Sequence, residues 1–229
     1  MNPARLRALV FDLDGTLIDS RQDLAAAVNR MRADLGLEEL ALPTIVAMVG
    51  RGARNLVRSA LGGDPPEELT TRAVALFLGH YEPACTVSTV AYPGIGELLG
   101  DQAARRRLAL LTNKPERPTR RILEHFGWSG RFEVVIGGDT LAARKPEPDG
   151  LLTIARRLGM ASGEMLMVGD SAIDAATAAA AGAPFALAEW GFAAREEQAA
   201  LRADLRASDP FALGRLLAVA ADAPGAVPQ

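Results

Sequence analysis

Three short apolar runs in this chain break off in the same way, each passing directly into a polar cluster. Leu6-Arg7-Ala8-Leu9-Val10 leads through Phe11 to Asp12 and Asp14, Arg107-Leu108-Ala109-Leu110-Leu111 ends at Thr112 and Asn113, and Met165-Leu166-Met167-Val168 ends at Gly169 and Asp170. Short apolar runs bounded by turn residues read as buried strands. Helical patterns lie between and after them, at 95–104, 115–126, 150–158 and the Ala-rich 172–181, with further strands at 134–136, 185–187 and near 203–206. Alternating strands and helices imply parallel pairing, hence an α/β fold with a doubly wound parallel sheet. Such sheets bind ligands beyond the carboxyl ends of their strands, near the point where strand order reverses. A helix over 209–221 and a frayed tail from Pro224 complete the expected pattern.

One segment does not alternate. Between residues 20 and 82 nothing reads as a strand, whereas 23–35, a stretch opening at Pro43-Thr44, 52–61 and 66–81 carry helical signals. Ser20 followed by Asp23 resembles a capping box at the first of these helices. The expected organisation is therefore an α/β core of residues 1–18 and 88–229, with a small all-helical insertion at 19–87.

Bulk properties exclude several classes. At 229 residues the chain can bury one large core, or a core and a smaller unit. A net charge of −3 offers no basic excess for nucleic acid. Apolar runs are too short and too often interrupted to span a bilayer, and the N-terminus lacks a signal-peptide pattern. One cysteine excludes an internal disulfide, and two histidines with it are too few for a zinc site. The expected setting is cytoplasmic, with no membrane or nucleic-acid partner and a monomer or weak homodimer.

The polar clusters carry the chemistry. Asp12 and Asp14 are one residue apart, so an extended chain points them the same way, and two like charges that close need an offset. Magnesium is the simplest, because hard carboxylate oxygens suit it and it reaches phosphate through the same shell. Gly15 lets the backbone turn sharply and Thr16 adds a hydroxyl at the mouth. Asp12 is best placed to attack phosphorus as a carboxylate nucleophile, and Asp14 to move protons. Thr112 and Asn113 can donate to phosphoryl oxygens without adding charge. Lys145, before Pro146, can pair with nucleophile and phosphate. Lys114-Pro115 has the same form, but reads as a decoy that starts a helix. Asp170 and Asp174, four apart around Ser171, can face one cation. Each cluster has an ordinary explanation by itself, as an Asp-Gly turn, a loop lysine or a helix cap; their order along one chain outweighs it.

With these four motifs, the chain resembles the haloacid dehalogenase-superfamily phosphatases. FDLDGTLIDS matches the first motif, LLTNK the second, Lys145-Pro146 the third and VGDSAIDAATAAAAG the fourth, so the match spans residues 6–215. Within the superfamily it is most similar to the phosphoglycolate phosphatase group, through Val49-Gly50-Arg51-Gly52, Ala91-Tyr92-Pro93-Gly94, LLTNKPERPT, FEVVIGGD and ARKPEPDGLL. The resemblance implies Asp12 as nucleophile and Asp14 as general acid/base, with Mg2+ held by Asp12, the Asp14 carbonyl and Asp170, and Asp174 nearby. It implies that Thr112, Asn113 and Lys145 hold the phosphoryl group, that Thr16 tunes Asp14, with Gly15 and Ser171 in support, and that the helical insertion is a mobile cap carrying specificity. The substrate class implied is a small phosphorylated metabolite.

Departures matter most in the insertion. Arg51 stands where relatives often have a small polar residue, and Arg54 and Arg58 follow at spacings that would share a helix face. Arg51 is a candidate clamp for a substrate carboxylate, against the plainer reading of a solvated basic face. Glu147 stands where many relatives have His. The substrate that the resemblance implies first is 2-phosphoglycolate, with sugar phosphates or amino-sugar phosphates as the alternative. A mutase would need a cap that excludes water, and an idle binding module would be expected to have lost a carboxylate. Dehalogenation is disfavoured by the presence of Asp14, and a Schiff-base phosphonatase by the absence of Lys from residues 20–90.

Overall fold

The computed structural model describes residues 5–219; the last two residues of the expected C-terminal helix and the expected tail from Pro224 lie outside them. Six parallel strands form the sheet: β1 (Ala8–Phe11), β4 (Arg107–Leu111), β5 (Val134–Ile136), β6 (Met165–Gly169), β7 (Phe185–Ala188) and β8 (Leu205–Ala207), in spatial order β5-β4-β1-β6-β7-β8. Strand β1 is central, and Phe11 is in register with Leu110 on one side and Val168 on the other. Strand order reverses at this point, so the three polar clusters emerge side by side from one end of the sheet.

Alternate residues of β1 serve two different cores. Leu9 and Phe11 join one apolar cluster with Leu98 and Leu99 of α5 (Ile95–Ala103) and Leu213 and Leu217 of α10 (Pro210–Val219). Ala8 and Val10 join the other with Leu151 and Ile154 of α7 (Asp149–Leu158) and Ala178 of α8 (Ala172–Ala181). Both faces of β1 are therefore covered, which is why its sequence is a continuous apolar run rather than an alternating one. The small side chains of α8 suit close packing on the sheet. The remaining helices against or beside the sheet are α6 (Glu116–His125) and the short α9 (Arg195–Ala200), the latter not expected.

The segment from 20 to 85 is helical, as expected: α1 (Arg21–Asp34), α2 (Leu42–Val46), α3 (Ala53–Leu61) and α4 (Glu67–Ala84). Leu24, Val28 and Met31 of α1 and Ala73, Phe77 and Tyr81 of α4 are buried at helical spacing. Two features differ from the sequence reading. The connections to the sheet pair as a two-stranded antiparallel ribbon, β2 (Ile18–Asp19) with β3 (Val90–Ala91), too short for any period to register. Ser20 and Asp23 form no capping box. The Ser20 hydroxyl turns to Asp14, and buried Asp23 accepts from Ser88 N, Thr89 N and Thr89 Oγ1 at 2.8 to 3.0 Å. Asp23 thus ties the start of the insertion to its return, a long-range use that outcompetes local capping. Among the described residues no helix is long and apolar enough to cross a membrane.

Candidate active site

The site opens at the ends of β1, β4 and β6, beneath the helical segment, around a cavity of about 610 Å³. Asp12, Asp14, Thr112, Asn113, Lys145, Asp170 and Ser171 of the sequence reading all line it. Beyond Phe11 the chain leaves the sheet: Asp12 N still donates to Val168 O, while the amides of residues 16 to 18 fold back on Leu13 O. Gly15 turns this corner with φ +82, and a β-carbon there would run into the Asp170 carboxylate. Gly191 crowds the same side chain from the other flank.

The four carboxylates divide into two groups. Asp12, Asp170 and Asp174 each offer an oxygen within 4.8 Å of the others. Lys145 Nζ lies 2.7 Å from Asp12 Oδ1 and 2.6 Å from Asp174 Oδ1. Asp14 lies apart, with its Oδ1 2.5 Å from Ser20 Oγ and 3.0 Å from Lys114 Nζ. Lys114, expected to be a decoy, is therefore buried in the site with only 5% of its surface exposed. Its helix-starting role also holds, since α6 begins at Glu116 with Pro115 as its N-cap. Its sequence, Thr-Asn-Lys-Pro, carried no sign that the lysine turns inward.

Several expected partners are rearranged. The buried Thr16 hydroxyl faces Asp170 Oδ1 at 3.5 Å rather than Asp14, and its carbonyl accepts from Trp190 Nε1. Asp170 Oδ2 accepts from Phe192 N at 2.7 Å. Trp190, Gly191 and Phe192 were invisible to motif reading because they lie far along the chain, in a loop with no polar signature. Asn113 donates both amide hydrogens to backbone carbonyls, of Gly50 in the helical segment and of Lys145, each at 2.9 Å. Thr112 is buried, and its hydroxyl accepts from Lys114 N. Ser171 caps α8 and donates to Asp174 Oδ2 at 2.7 Å. Both oxygens of Asp174 are thus engaged, one by Lys145 and one by Ser171. Arg51, Arg54 and Arg58 do not share a helix face, because α3 begins only at Ala53. Arg54 pairs with Glu67, and Arg58 with Asp64 at 2.6 Å, while Arg51 lines the cavity.

The electrostatics point to a cation. Four carboxylates, those of Asp12, Asp14, Asp170 and Asp174, crowd the two ammonium groups of Lys114 and Lys145 in a largely buried space. Burial, opposed by Lys145 and reinforced by Asp174, pushes Asp12 up to about 6. Burial, with Asp174 and Asp12 adding to it, holds Asp170 well above the ordinary carboxylate range. Burial disfavours the Lys145 ammonium, but Asp12 and Asp174 outweigh it and raise its pKa. Among the described residues, buried Asp12 Oδ1 has the Lys145 ammonium, at 2.7 Å, as its close partner and accepts from no backbone amide or hydroxyl. An all-oxygen donor set and more carboxylates than ammonium groups, with Asp12 Oδ1 offered no neutral donor, fit a hard divalent cation at Asp12 and Asp170.

A parallel sheet with its acidic site at the switch point, and a helical segment over it, defines an α/β protein with a capped acidic site. Residues 6–182 match the haloacid dehalogenase-like hydrolase family, and the chain belongs to it. Within that family it is a phosphatase-type enzyme. It is 42% identical over 214 residues to the phosphoglycolate phosphatase of Rhodospirillum rubrum, covering 90% of this chain and 88% of that protein. It is 40% identical over 224 residues to a plasmid phosphoglycolate phosphatase of Cupriavidus necator, covering 96% of each. A crystal structure described as a predicted phosphoglycolate phosphatase from Haemophilus somnus superposes with a TM-score of 0.85 at 25% identity, over 93% of this chain and 98% of that one.

Proposed function

We propose that this chain is a Mg2+-dependent phosphomonoesterase that works through a phospho-aspartate on Asp12, with 2-phosphoglycolate as substrate. The observation that carries the reading is the separation of the two neighbouring carboxylates. Asp12 sits with Lys145 and the acidic cluster, and Asp14 sits with Ser20 and Lys114. One is thereby set up to attack and the other to exchange a proton.

An Asp12 oxygen attacks phosphorus, the bond from phosphorus to the ester oxygen breaks, and protonated Asp14 gives its proton to the departing alkoxide. Water then attacks the acyl phosphate, Asp14 takes a proton from it, and the bond from phosphorus to Asp12 breaks to release phosphate. Lys145 pairs with Asp12 and with the phosphoryl charge, Asp174 and Ser171 hold Lys145 in place, and Thr112 donates to a phosphoryl oxygen. Asp12, Asp170 and the Asp14 carbonyl would hold a magnesium ion, which would neutralise the repulsion between carboxylate and phosphate. Residues 19–87 act as the specificity cap over a core of 1–18 and 88–229, and Asn113, bonded to Gly50, links the two.

Relatives at 40–42% identity named phosphoglycolate phosphatase support this substrate. Of the two cap arginines that line the cavity, Arg21 pairs with Asp19 at 2.6 Å, and Arg51 is the one suited to a substrate carboxylate. A cavity of about 610 Å³ favours a second reading, a sugar phosphate or amino-sugar phosphate, because it exceeds what a two-carbon ester fills. A magnesium-supplemented screen of phosphorylated metabolites, ranked by kcat/KM, separates the two. Arg51→Ala should raise KM for carboxylated esters at least about tenfold and leave p-nitrophenyl phosphate unaffected, while Arg54→Ala changes neither. Equal effects of Arg51→Ala on both substrates would remove the clamp, and no hydrolysis in the screen would remove the enzyme reading.

A further inference from the structure

The carboxylate of Asp14 lies between the two stems of the helical segment. On one side Ser20, immediately before α1, donates its hydroxyl to Oδ1. On the other, Lys114 Nζ approaches the same oxygen, and this ammonium also donates to the Tyr81 hydroxyl at 2.5 Å. Tyr81 belongs to the last turns of α4, so the helical segment reaches Asp14 at its outgoing end directly and at its returning end through Lys114.

Such a relay is costly to build unless it is used. Lys114 and Tyr81 are 5% and 1% exposed, and a buried ammonium is disfavoured unless each of its partners is well placed. Tyr81 stacks on Phe77 with centroids 5.5 Å apart and planes 7° from parallel, which fixes the direction of its hydroxyl. Burial also raises Tyr81, against the pull of Lys114, so it stays a neutral phenol that orients the ammonium without competing for its charge. Both contacts to Asp14 fall on Oδ1, leaving Oδ2 to carry a transferable proton.

We infer that Lys114 and Tyr81 are positioning residues for Asp14. The phenol on α4 fixes the ammonium, and the ammonium fixes the carboxylate that exchanges a proton with the departing oxygen. This rests on the phosphatase reading above, in which protonated Asp14 passes its proton from Oδ2 to the alkoxide as the bond to phosphorus breaks. Because Tyr81 is on the helical segment, proton transfer is tied to where those helices sit. A purely structural ion pair would share the geometry but would not single out a chemical step.

The test compares leaving groups by kcat/KM, which reports steps only up to departure of the first product. An alkyl phosphate needs a proton on its leaving oxygen, and 2,4-dinitrophenyl phosphate does not. Tyr81→Phe keeps the ring stack and removes only the hydroxyl. It should lower kcat/KM for the alkyl ester by about tenfold and that for the dinitrophenyl ester by less than about twofold. Lys114→Met should show the same split at about a hundredfold, and the double variant should be no worse than Lys114→Met because the two act in series. Should Tyr81→Phe fail to fold, the split in Lys114→Met decides. Equal losses on both esters, or additive losses in the double variant, would overturn the inference. So would a loss seen with 2-phosphoglycolate but not with propyl phosphate, which would make Lys114 a substrate contact. If the unaltered protein cleaves neither of these esters nor 2-phosphoglycolate, the phosphatase reading itself fails, a result distinct from all of these.

Discussion

Removing the charge of Asp12 should make the metal-free protein more stable while abolishing its activity. The carboxylate is held at about 6 against an ordinary 3.8, with burial as the main cause. A group whose folded pKa is raised costs nothing below its unfolded value, and its cost grows as pH rises through the folded one. The shift from 3.8 to about 6 corresponds to a penalty of about 3 kcal/mol that is complete above about pH 6 and absent below about pH 4. Asp12→Asn abolishes it. The pull of Lys145 is already contained in that shift, and after the substitution Lys145 keeps Asp174 at 2.6 Å as its partner. The expected net gain, in EDTA at about pH 7.5, is about 1–3 kcal/mol, and it should vanish by about pH 4. Saturating magnesium should reverse the order. Ligand present at a hundred times its dissociation constant adds about 2.7 kcal/mol to the protein that binds it, and the Asn variant has lost a direct ligand. Urea denaturation followed by tryptophan fluorescence, with and without metal, measures all of this; Trp190 bonds directly to Thr16 beside the site. A variant less stable than its parent in EDTA near neutral pH would show that Asp12 is stabilised by Lys145 rather than stranded in surplus charge.

Two further outcomes follow from contacts outside the motifs. Gly15→Ala forces a β-carbon toward Asp170 at a positive φ, costing about 1–3 kcal/mol of stability and raising the magnesium concentration for half-maximal activity about tenfold or more. An unchanged magnesium titration would show that Asp170 does not meet the metal. Asp23→Ala strips two buried donors of Thr89 and a part-buried one of Ser88 of their acceptor and should cost about 2–4 kcal/mol in urea denaturation, with Asp23→Asn recovering part. A cost below about 1 kcal/mol would mean that water replaces the carboxylate there.

The motifs announced their own residues because each combines a strand end with a residue type that a turn alone does not require. Asp12, Thr112 and Asp170 follow strands in register across the sheet, so the apolar runs before them predicted their adjacency. Helical periodicity likewise exposed α1 to α4, and Ser171 with Asp174 formed the cap that their spacing implies. Ser20 and Asp23 looked like a cap and were not one, because their partners, Asp14 and the Ser88-Thr89 backbone, are supplied by the tertiary fold. The β2–β3 ribbon left no trace in the sequence, since two residues cannot display a period.

By itself the sequence determined the strand-helix alternation, the helical insertion and the set of carboxylates, because periodicity and composition are local properties. Tertiary structure decided how those carboxylates are shared out. Lys114 became a partner of Asp14 and Tyr81, Thr16 went to Asp170, and Asn113 was drawn to the carbonyls of Gly50 and Lys145. A charge or a hydroxyl is satisfied by whatever lies within about 3 Å of it. In this chain those neighbours come from segments between about 30 and 150 residues away, a distance over which no spacing rule acts.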